Sequence, residues 1–125
     1  MRAFIESVCR EAVIARNDTL RIALVAEELF TNSVKHGYGG DSAMRVWLTL
    51  QPESGACRMI YEDAAPPYDP FTDITEPAPA ASLDARAVGG LGVLLVARFS
   101  RSHEYTRAGD RNRISLLLPL TGPGY

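Results

Sequence analysis

Hydrophobic residues recur at helical spacing through the first third of the chain. Over residues 3–16 apolar side chains return every three or four positions with charged residues between them, and this spacing predicts an amphipathic helix. Asn17-Asp18-Thr19 supplies residue types that cap helix N-termini. We therefore expect a second helix over roughly 19–36, ended by Gly37.

The predicted second helix is apolar around most of its circumference and carries one polar seam. At about 100° per residue, the seam collects the polar residues Arg21, Glu28, Asn32, Lys35 and His36. A helix of this kind is buried on several sides, so we expect the seam to line a cavity. Glu28 and Asn32 are one helical turn apart and point in the same direction.

After the second helix the pattern changes from helical spacing to alternation. Residues 44–50 alternate strictly, which predicts a half-buried strand, and residues 57–62 predict its antiparallel partner. The remaining predicted elements are a buried helix over 91–99 and a closing hairpin, 103–107 and 114–118, around Gly109-Asp110. Together they predict an α/β fold, a two-layer α/β sandwich with helices on one face of a mainly antiparallel mixed sheet.

Size and composition favour a single soluble domain, residues 1–125. No stretch reaches the length of a membrane span, and the net charge of −2 argues against direct nucleic-acid binding. Cys9 and Cys57 lack metal-ligand spacing, so we expect buried free thiols and a cytoplasmic protein. Prolines and polar residues dominate 64–88, which predicts a functional lid at approximately 68–88.

Three short motifs carry residue types that suit a nucleoside triphosphate. In the first, the Glu28 carboxylate can accept a proton from an attacking hydroxyl, and the Asn32 amide oxygen suits magnesium. In the second, Asp63 ends a strand, where it can accept a hydrogen bond from an exocyclic base amine. In the third, Gly89-Gly90-Leu91-Gly92 opens a helix, whose free backbone N–H groups and dipole favour an anion.

Each motif also has an ordinary structural explanation when it is taken alone. A Glu-x-x-x-Asn spacing is common on exposed helix faces, an aspartate before prolines often starts a turn, and glycines often end a flexible loop. The glycine motif matches neither the Rossmann pattern nor the P-loop pattern. The nucleotide hypothesis depends on the order of all three motifs along one chain.

The ordered motifs resemble those of the GHKL (Bergerat-fold) ATP-binding superfamily, and within it the bacterial anti-sigma-factor serine-protein kinases. Residues 26–32 together with 35–38 look like that branch's N box, residues 63–70 like its first glycine box and residues 89–95 like its second. Residues 111–116 resemble its last strand. The likeness covers roughly residues 3–118.

The resemblance implies one catalytic residue and a set of nucleotide-binding residues. Glu28 would be the general base and Asn32 the Mg²⁺ ligand. Asp63 would receive the adenine amine, and Ser115 would place a hydroxyl near the base. The residues implied to contact ATP or its metal are Asn32, Asp63, Ala65, Arg86, Gly89, Gly90, Gly92 and Ser115.

The activity that the resemblance implies is ATP-dependent phosphorylation of a serine on a small anti-anti-sigma (STAS-type) antagonist protein, together with sequestration of a sigma factor. ATP or ADP, the sigma factor and the antagonist are then the expected partners. The alternative is a nucleotide-gated partner-switching module with little or no kinase activity. A histidine-kinase catalytic domain fits less well, because no helix with a phosphoacceptor precedes the domain.

Two departures from the family pattern bear on affinity and assembly. Ala65 stands where the first box normally has glycine, which predicts weak nucleotide affinity if that position needs a positive φ or close approach to the purine. These proteins usually begin with a strand, whereas this chain opens almost directly in a helix. We therefore expect an uncovered sheet edge unless a homodimer or another chain covers it.

Overall fold

The computed structural model describes residues 1–37, 45–72 and 91–122. Within these residues, helices and strands form two layers. The helices are α1 (Arg2–Glu11), α2 (Arg16–Asn32) and α3 (Leu91–Phe99), with a π-helical turn, Ser33–Gly37, directly after α2. The strands are β1 (Val46–Glu53), β2 (Ala56–Asp63), β3 (Ser102–Ala108) and β4 (Arg111–Pro119).

The described strands form one antiparallel sheet in the order β1-β2-β4-β3. Tight turns containing Gly55 and Gly109 close the two hairpins, and both glycines have positive φ, 75° and 63°, a conformation that two-residue hairpin loops require. Strands β2 and β4 lie at the centre of the sheet, with Asp63 directly opposite Asn112. The predicted two-layer α/β fold is confirmed, and every described strand pair is antiparallel.

The core lies between the inner face of the sheet and the helices. Alternation along β2 and β4 turns every second side chain inward. The buried inner residues of the sheet are Cys57, Met59, Tyr61, Ile114, Leu116 and Leu118. They pack against Ile5, Cys9, Ile22, Ala23, Val25, Ala26, Leu29 and Val96 from the helices. Both cysteines are free and buried, as the sequence predicted.

Helix α2 lies between α1 and α3 and runs antiparallel to α3. Its Glu28 lies against Gly92 at the start of α3, while the Arg21 guanidinium lies 5.6 Å from the ring centre of Phe99 at the end of α3. On its other side, Glu27 forms an ion pair with Arg2 of α1. No described helix has both the length and the apolar character that crossing a bilayer requires.

The predicted capping role of Asn17-Asp18-Thr19 is wrong, because α2 already begins at Arg16. Ala15 occupies the N-cap position, and no side chain caps the helix there. The buried Asp18 carboxylate instead accepts hydrogen bonds from the backbone N–H groups of Thr121 and Gly122. The Asp18 side chain therefore binds residues from the far end of the chain, a contact that the local sequence pattern does not indicate.

Candidate functional site

The polar seam of α2 meets the first turn of α3 at Glu28. Glu28 is half-buried, and a Cβ built on Gly92 would overlap one of its carboxylate oxygens and lie 3.0 Å from its carboxyl carbon. Only a residue without a side chain allows this approach of a carboxylate to the α3 backbone. The structure therefore brings Glu28 and the described glycine of the third motif together.

Asn32, one turn beyond Glu28, lines a cleft that it shares with Asp63. The cleft is lined by Leu29, Asn32, Ser33, Tyr61, Asp63, Tyr68, Pro70, Asn112 and Ile114. The accessible volume of the cleft is about 10 Å³, which is room for about one water molecule, so a nucleotide base enters only if the cleft widens. The cleft lies where α2 passes into its π-helical turn, and such turns occur often at functional sites.

The Asp63 carboxylate is almost fully buried and accepts three hydrogen bonds from residues that the structure describes. Ser33 Oγ donates to Oδ2 at 2.8 Å, while the Ala65 N–H and Asn112 Nδ2 donate to Oδ1 at 3.2 and 2.8 Å. A carboxylate offers about four acceptor positions, so these donors leave about one. Because all three neighbours donate, the remaining position of the Asp63 carboxylate is an acceptor, and Asp63 lines the cleft.

Ser33 extends this network toward the core. Its hydroxyl lies 2.8 Å from the Tyr61 hydroxyl, and both side chains are buried. Because Ser33 donates its single proton to Asp63, the Tyr61 hydroxyl donates to Ser33. Ser33 was not among the residues predicted from the sequence, because it follows Asn32 directly and belongs to no recognisable motif.

Asn112 is the second residue that the sequence analysis missed. It is buried on the inner face of the sheet, opposite Asp63 in the strand register. The alternation of the last strand does indicate its position, because it turns Asn112 toward the same face of the sheet as Ile114 and Leu116. Using that signal requires the register between β2 and β4, which only the tertiary structure supplies.

The structure does not bring Ser115 to the cleft. Ser115 is three positions from Asn112 on the same strand, so its side chain lies on the opposite face of the sheet. There its hydroxyl accepts a hydrogen bond from Arg58 Nη1 at 3.0 Å. The polar side chain of β4 that lies beside Asp63 is Asn112, and we leave Ser115 out of the candidate site.

Ala65 does not need the conformation that only glycine adopts easily. In the described part of the chain Val13 is the one non-glycine residue with positive φ, so Ala65 has an ordinary backbone conformation. Its side chain is buried, and its carbonyl accepts hydrogen bonds from Arg107 Nη1 and Asn112 Nδ2. The backbone argument for weak nucleotide affinity therefore does not apply.

Three predicted site residues, Arg86, Gly89 and Gly90, lie outside the described residues. The predicted lid at 68–88 is described only as far as residue 72. In that portion the Tyr68 N–H donates to Asn112 Oδ1 at 3.1 Å, and Pro70 lines the cleft. The start of the predicted lid is thus attached to the same group as Asp63.

The sequence matches the family described as Histidine kinase-like ATPase domain over residues 1–118. The chain belongs to this family. A related protein, the serine/threonine-protein kinase BtrW of Bordetella bronchiseptica, is 30% identical over 95 residues, which span 76% of this chain and 66% of BtrW, just under two thirds of that relative.

A solved structure also has a similar fold. The blue-light activated histidine kinase EL346 of Erythrobacter litoralis superposes with a TM-score of 0.59 at 21% identity, over 86% of this chain and 32% of that protein. This likeness is evidence for the fold. In the structure Asn32 and Asp63 line one cleft, while Glu28, one turn before Asn32, lies against Gly92.

The oxygen and nitrogen atoms around the cleft can also be compared with the ligands that a magnesium ion needs. Within the described residues no group of three or more histidine, cysteine, aspartate or glutamate side chains could form a metal cage. Magnesium often takes only one or two protein ligands and completes its shell with substrate phosphates and water. The half-buried amide of Asn32, lining the cleft one turn from Glu28, fits that mode of binding.

Proposed function

We propose that this histidine kinase-like ATPase domain binds ATP with Mg²⁺ and phosphorylates a serine of a small anti-anti-sigma (STAS-type) antagonist protein. The observation that carries the proposal is the contact of the Glu28 carboxylate with Gly92 at the start of α3. A proton acceptor close to the start of a helix, whose backbone N–H groups suit phosphate oxygens, supports this proposal. The likeness to a serine/threonine-protein kinase supports the choice of a serine acceptor.

Each described residue has a distinct role in the proposed complex. Asp63 accepts a hydrogen bond from the adenine amine at the acceptor position that its protein donors leave open. The Asn32 amide oxygen holds Mg²⁺, which neutralises charge on the transferring phosphates. The N–H groups of the first turn of α3, around Gly92, bind phosphate oxygens, and Gly89, Gly90 and Arg86 join them as sequence-based predictions.

In the proposed transfer, Glu28 accepts the proton of the serine hydroxyl as the serine oxygen attacks the γ-phosphorus. The new bond joins the serine oxygen to that phosphorus, and the bond between the γ-phosphorus and the β–γ bridging oxygen breaks, so that ADP leaves with the electron pair. Such transfers depend mainly on positioning and charge stabilisation. A positioned general base contributes a factor of about 10² to 10⁴ in rate.

The proposed biological setting is a partner switch. The domain binds a sigma factor and releases it when the antagonist competes, and phosphorylation of the antagonist ends that competition. A homodimer in the cytoplasm, where buried free thiols persist, is part of this proposal. An ATP-binding module without phosphoryl transfer is the alternative that the experiment must separate.

Calorimetry and label transfer test the proposal together. Titration with ATP and Mg²⁺ measures binding, and transfer of the γ-phosphoryl label to purified STAS-domain proteins that carry a serine acceptor measures catalysis. Glu28→Gln is expected to retain ATP binding and to lose at least about 100-fold in transfer rate. The matched control is Glu27→Gln. It makes the same change at the preceding residue, whose side chain lies on the face of α2 that contacts Arg2.

The outcomes of this experiment separate the alternatives. Absence of ATP binding at millimolar concentration contradicts the proposed nucleotide site. Binding without transfer to any antagonist supports the partner-switching module. Equal transfer rates for Glu28→Gln and the unmodified protein show that Glu28 is not the general base.

A further inference from the structure

The Asn112 side chain connects the Asp63 carboxylate to the turn that follows β2. Its Nδ2 donates to Asp63 Oδ1 at 2.8 Å and to the Pro66 carbonyl at 2.9 Å, with a longer contact of 3.3 Å to the Ala65 carbonyl. Asn112 is only 5% exposed. The two N–H donors of one amide group are therefore shared among three acceptors between residues 63 and 66.

The oxygen of the same amide accepts hydrogen bonds from three donors. Asn112 Oδ1 accepts from the Tyr68 N–H at 3.1 Å, the Tyr105 hydroxyl at 2.6 Å and Arg107 Nη1 at 3.2 Å. These contacts fix the orientation of the amide, because a flipped group would face donors with its NH₂ and acceptors with its oxygen. Buried polar groups that are satisfied in this way have one well-defined arrangement.

The fixed amide determines which part of Asp63 is available to a ligand. Asn112 and the Ala65 N–H occupy Oδ1, and Ser33 donates to Oδ2. The remaining acceptor position of Asp63 therefore lies on Oδ2. A purine with an exocyclic amine at the contacting edge complements this acceptor, whereas a purine with a carbonyl there is repelled by it.

We propose that Asn112 is a positioning residue for recognition of a 6-aminopurine nucleotide, acting through Asp63 and the turn at 64–68. It holds the carboxylate so that one acceptor position faces the cleft, and it holds the Tyr68 end of the turn against the sheet. This inference rests on the proposed ATP site. It assigns to β4 a role in nucleotide recognition that Asn112, and not Ser115, performs.

Asn112→Asp is the sharpest test because it changes the donor and keeps the shape. The introduced carboxylate still accepts from Tyr68, Tyr105 and Arg107, but it no longer donates to Asp63 or to the carbonyls of Ala65 and Pro66. The titratable groups contacting this position are Asp63 from β2 and Tyr105 and Arg107 from β3. Two facing carboxylates repel when both are ionised, and they share a proton at lower pH.

The experiment measures the dissociation constant of ATP with Mg²⁺ by calorimetry between pH 8 and pH 5.5. At pH 8 the Asn112→Asp protein is expected to bind ATP at least about 10-fold more weakly than the unmodified protein, because a hydrogen bond to a charged group is lost. The ratio of the two constants is expected to approach one as pH falls. Gln51→Glu, the same amide-to-carboxylate change at an exposed position of β1, should show a constant ratio near one.

The outcomes distinguish this inference from the proposed function. If the unmodified protein does not bind ATP, the proposed function fails before Asn112 is tested. If it binds ATP and Asn112→Asp binds equally well at pH 8, or more weakly by a factor that does not change with pH, the positioning role is overturned. Should circular dichroism show that Asn112→Asp is unfolded, Asn112→Ser replaces it, with a loss of at least about 10-fold expected and unchanged binding overturning the inference.

Discussion

Two residues from distant parts of the chain share one small space where Glu28 meets Gly92. The glycine is needed because any side chain at position 92 would occupy the position of the Glu28 carboxylate. The constraint is steric and does not depend on an unusual backbone conformation. At this position the physical role of glycine is to admit another residue's functional group.

Gly92→Ala is expected to displace Glu28 and to reduce phosphoryl transfer by about 10-fold or more, since a misplacement of about 1 Å is enough for such losses. A double-mutant cycle with Glu28→Ala checks the cause. If the loss acts through Glu28, adding Gly92→Ala to Glu28→Ala changes the residual rate little. Additive losses in the cycle would show that Gly92 acts independently of Glu28.

Val13 shows the opposite case, in which an ordinary residue occupies a conformation that suits glycine. Its φ is 56°, and its side chain is almost fully exposed, so burial does not offset the strain. Val13→Gly is therefore expected to raise the free energy of unfolding by about 1 kcal/mol, measured by urea denaturation. Val13→Ala, which keeps a Cβ, should gain less, and equal gains would contradict the strain argument.

At the scale of elements, α2 is attached to the end of the chain as well as to its neighbouring helices. Asp18 is 2% exposed, and Thr121 contributes both its N–H and its hydroxyl to the carboxylate. Burial opposes the ionised form of Asp18. The hydrogen bonds from Thr121 and Gly122, with the Arg21 guanidinium, outweigh burial and hold the pKa of Asp18 below its usual value.

Asp18→Asn is expected to lower the free energy of unfolding by about 3 kcal/mol at pH 7, because hydrogen bonds to a charged acceptor are lost. A pKa lowered by folding gives stability that is complete above the unfolded value of about 3.9 and is lost as pH falls through the folded value. The difference between the two proteins should thus be constant from pH 5 to pH 8 and should shrink below about pH 4. Chemical denaturation across this range measures it, and a difference that does not decrease below pH 4 would contradict the carboxylate explanation.

At the scale of the whole molecule, both thiols lie in the core that joins the two layers. Cys9 from α1 and Cys57 from β2 belong to the same buried cluster. Burial raises the pKa of Cys9. Burial, followed by the neighbouring Cys9 thiol, raises the pKa of Cys57 to about 11. Burial of both side chains and their raised pKa values disfavour reaction as thiolates in the folded state.

Reaction with a disulfide reagent at pH 8 is therefore expected to be slow and to follow global unfolding. If the domain binds ATP, a concentration of 100 times the dissociation constant should slow the reaction by about 100-fold, because binding stabilises the folded state. Ser102→Cys, at an exposed position of β3, provides a fast internal reference. Native thiols that react as quickly as that reference would contradict the buried assignment.

Local sequence patterns were sufficient to predict most helices and strands, because interactions between near neighbours in the chain form these elements. The apolar segment after the glycines predicted the helix over 91–99, and α3 spans Leu91–Phe99. Strict alternation located β1, and the hairpin between β3 and β4 turns at Gly109-Asp110 as predicted. The predicted start of α2 was wrong. The helix begins at Arg16, and Asp18, which was expected to cap it, binds Thr121 from the other end of the chain.

The sequence by itself determined the layers, the sheet hairpins, the family likeness and the facing of Glu28 and Asn32, since periodicity and turn chemistry act between near neighbours. Only the tertiary structure decided which residues surround Asp63. The register of β2 against β4 brings Asn112 to Asp63 and turns Ser115 to the other face, and a shift of one residue would exchange the two faces. Register depends on packing of the whole sheet against the helices, so the sequence predicted the acceptor in the cleft but not the amide that holds it.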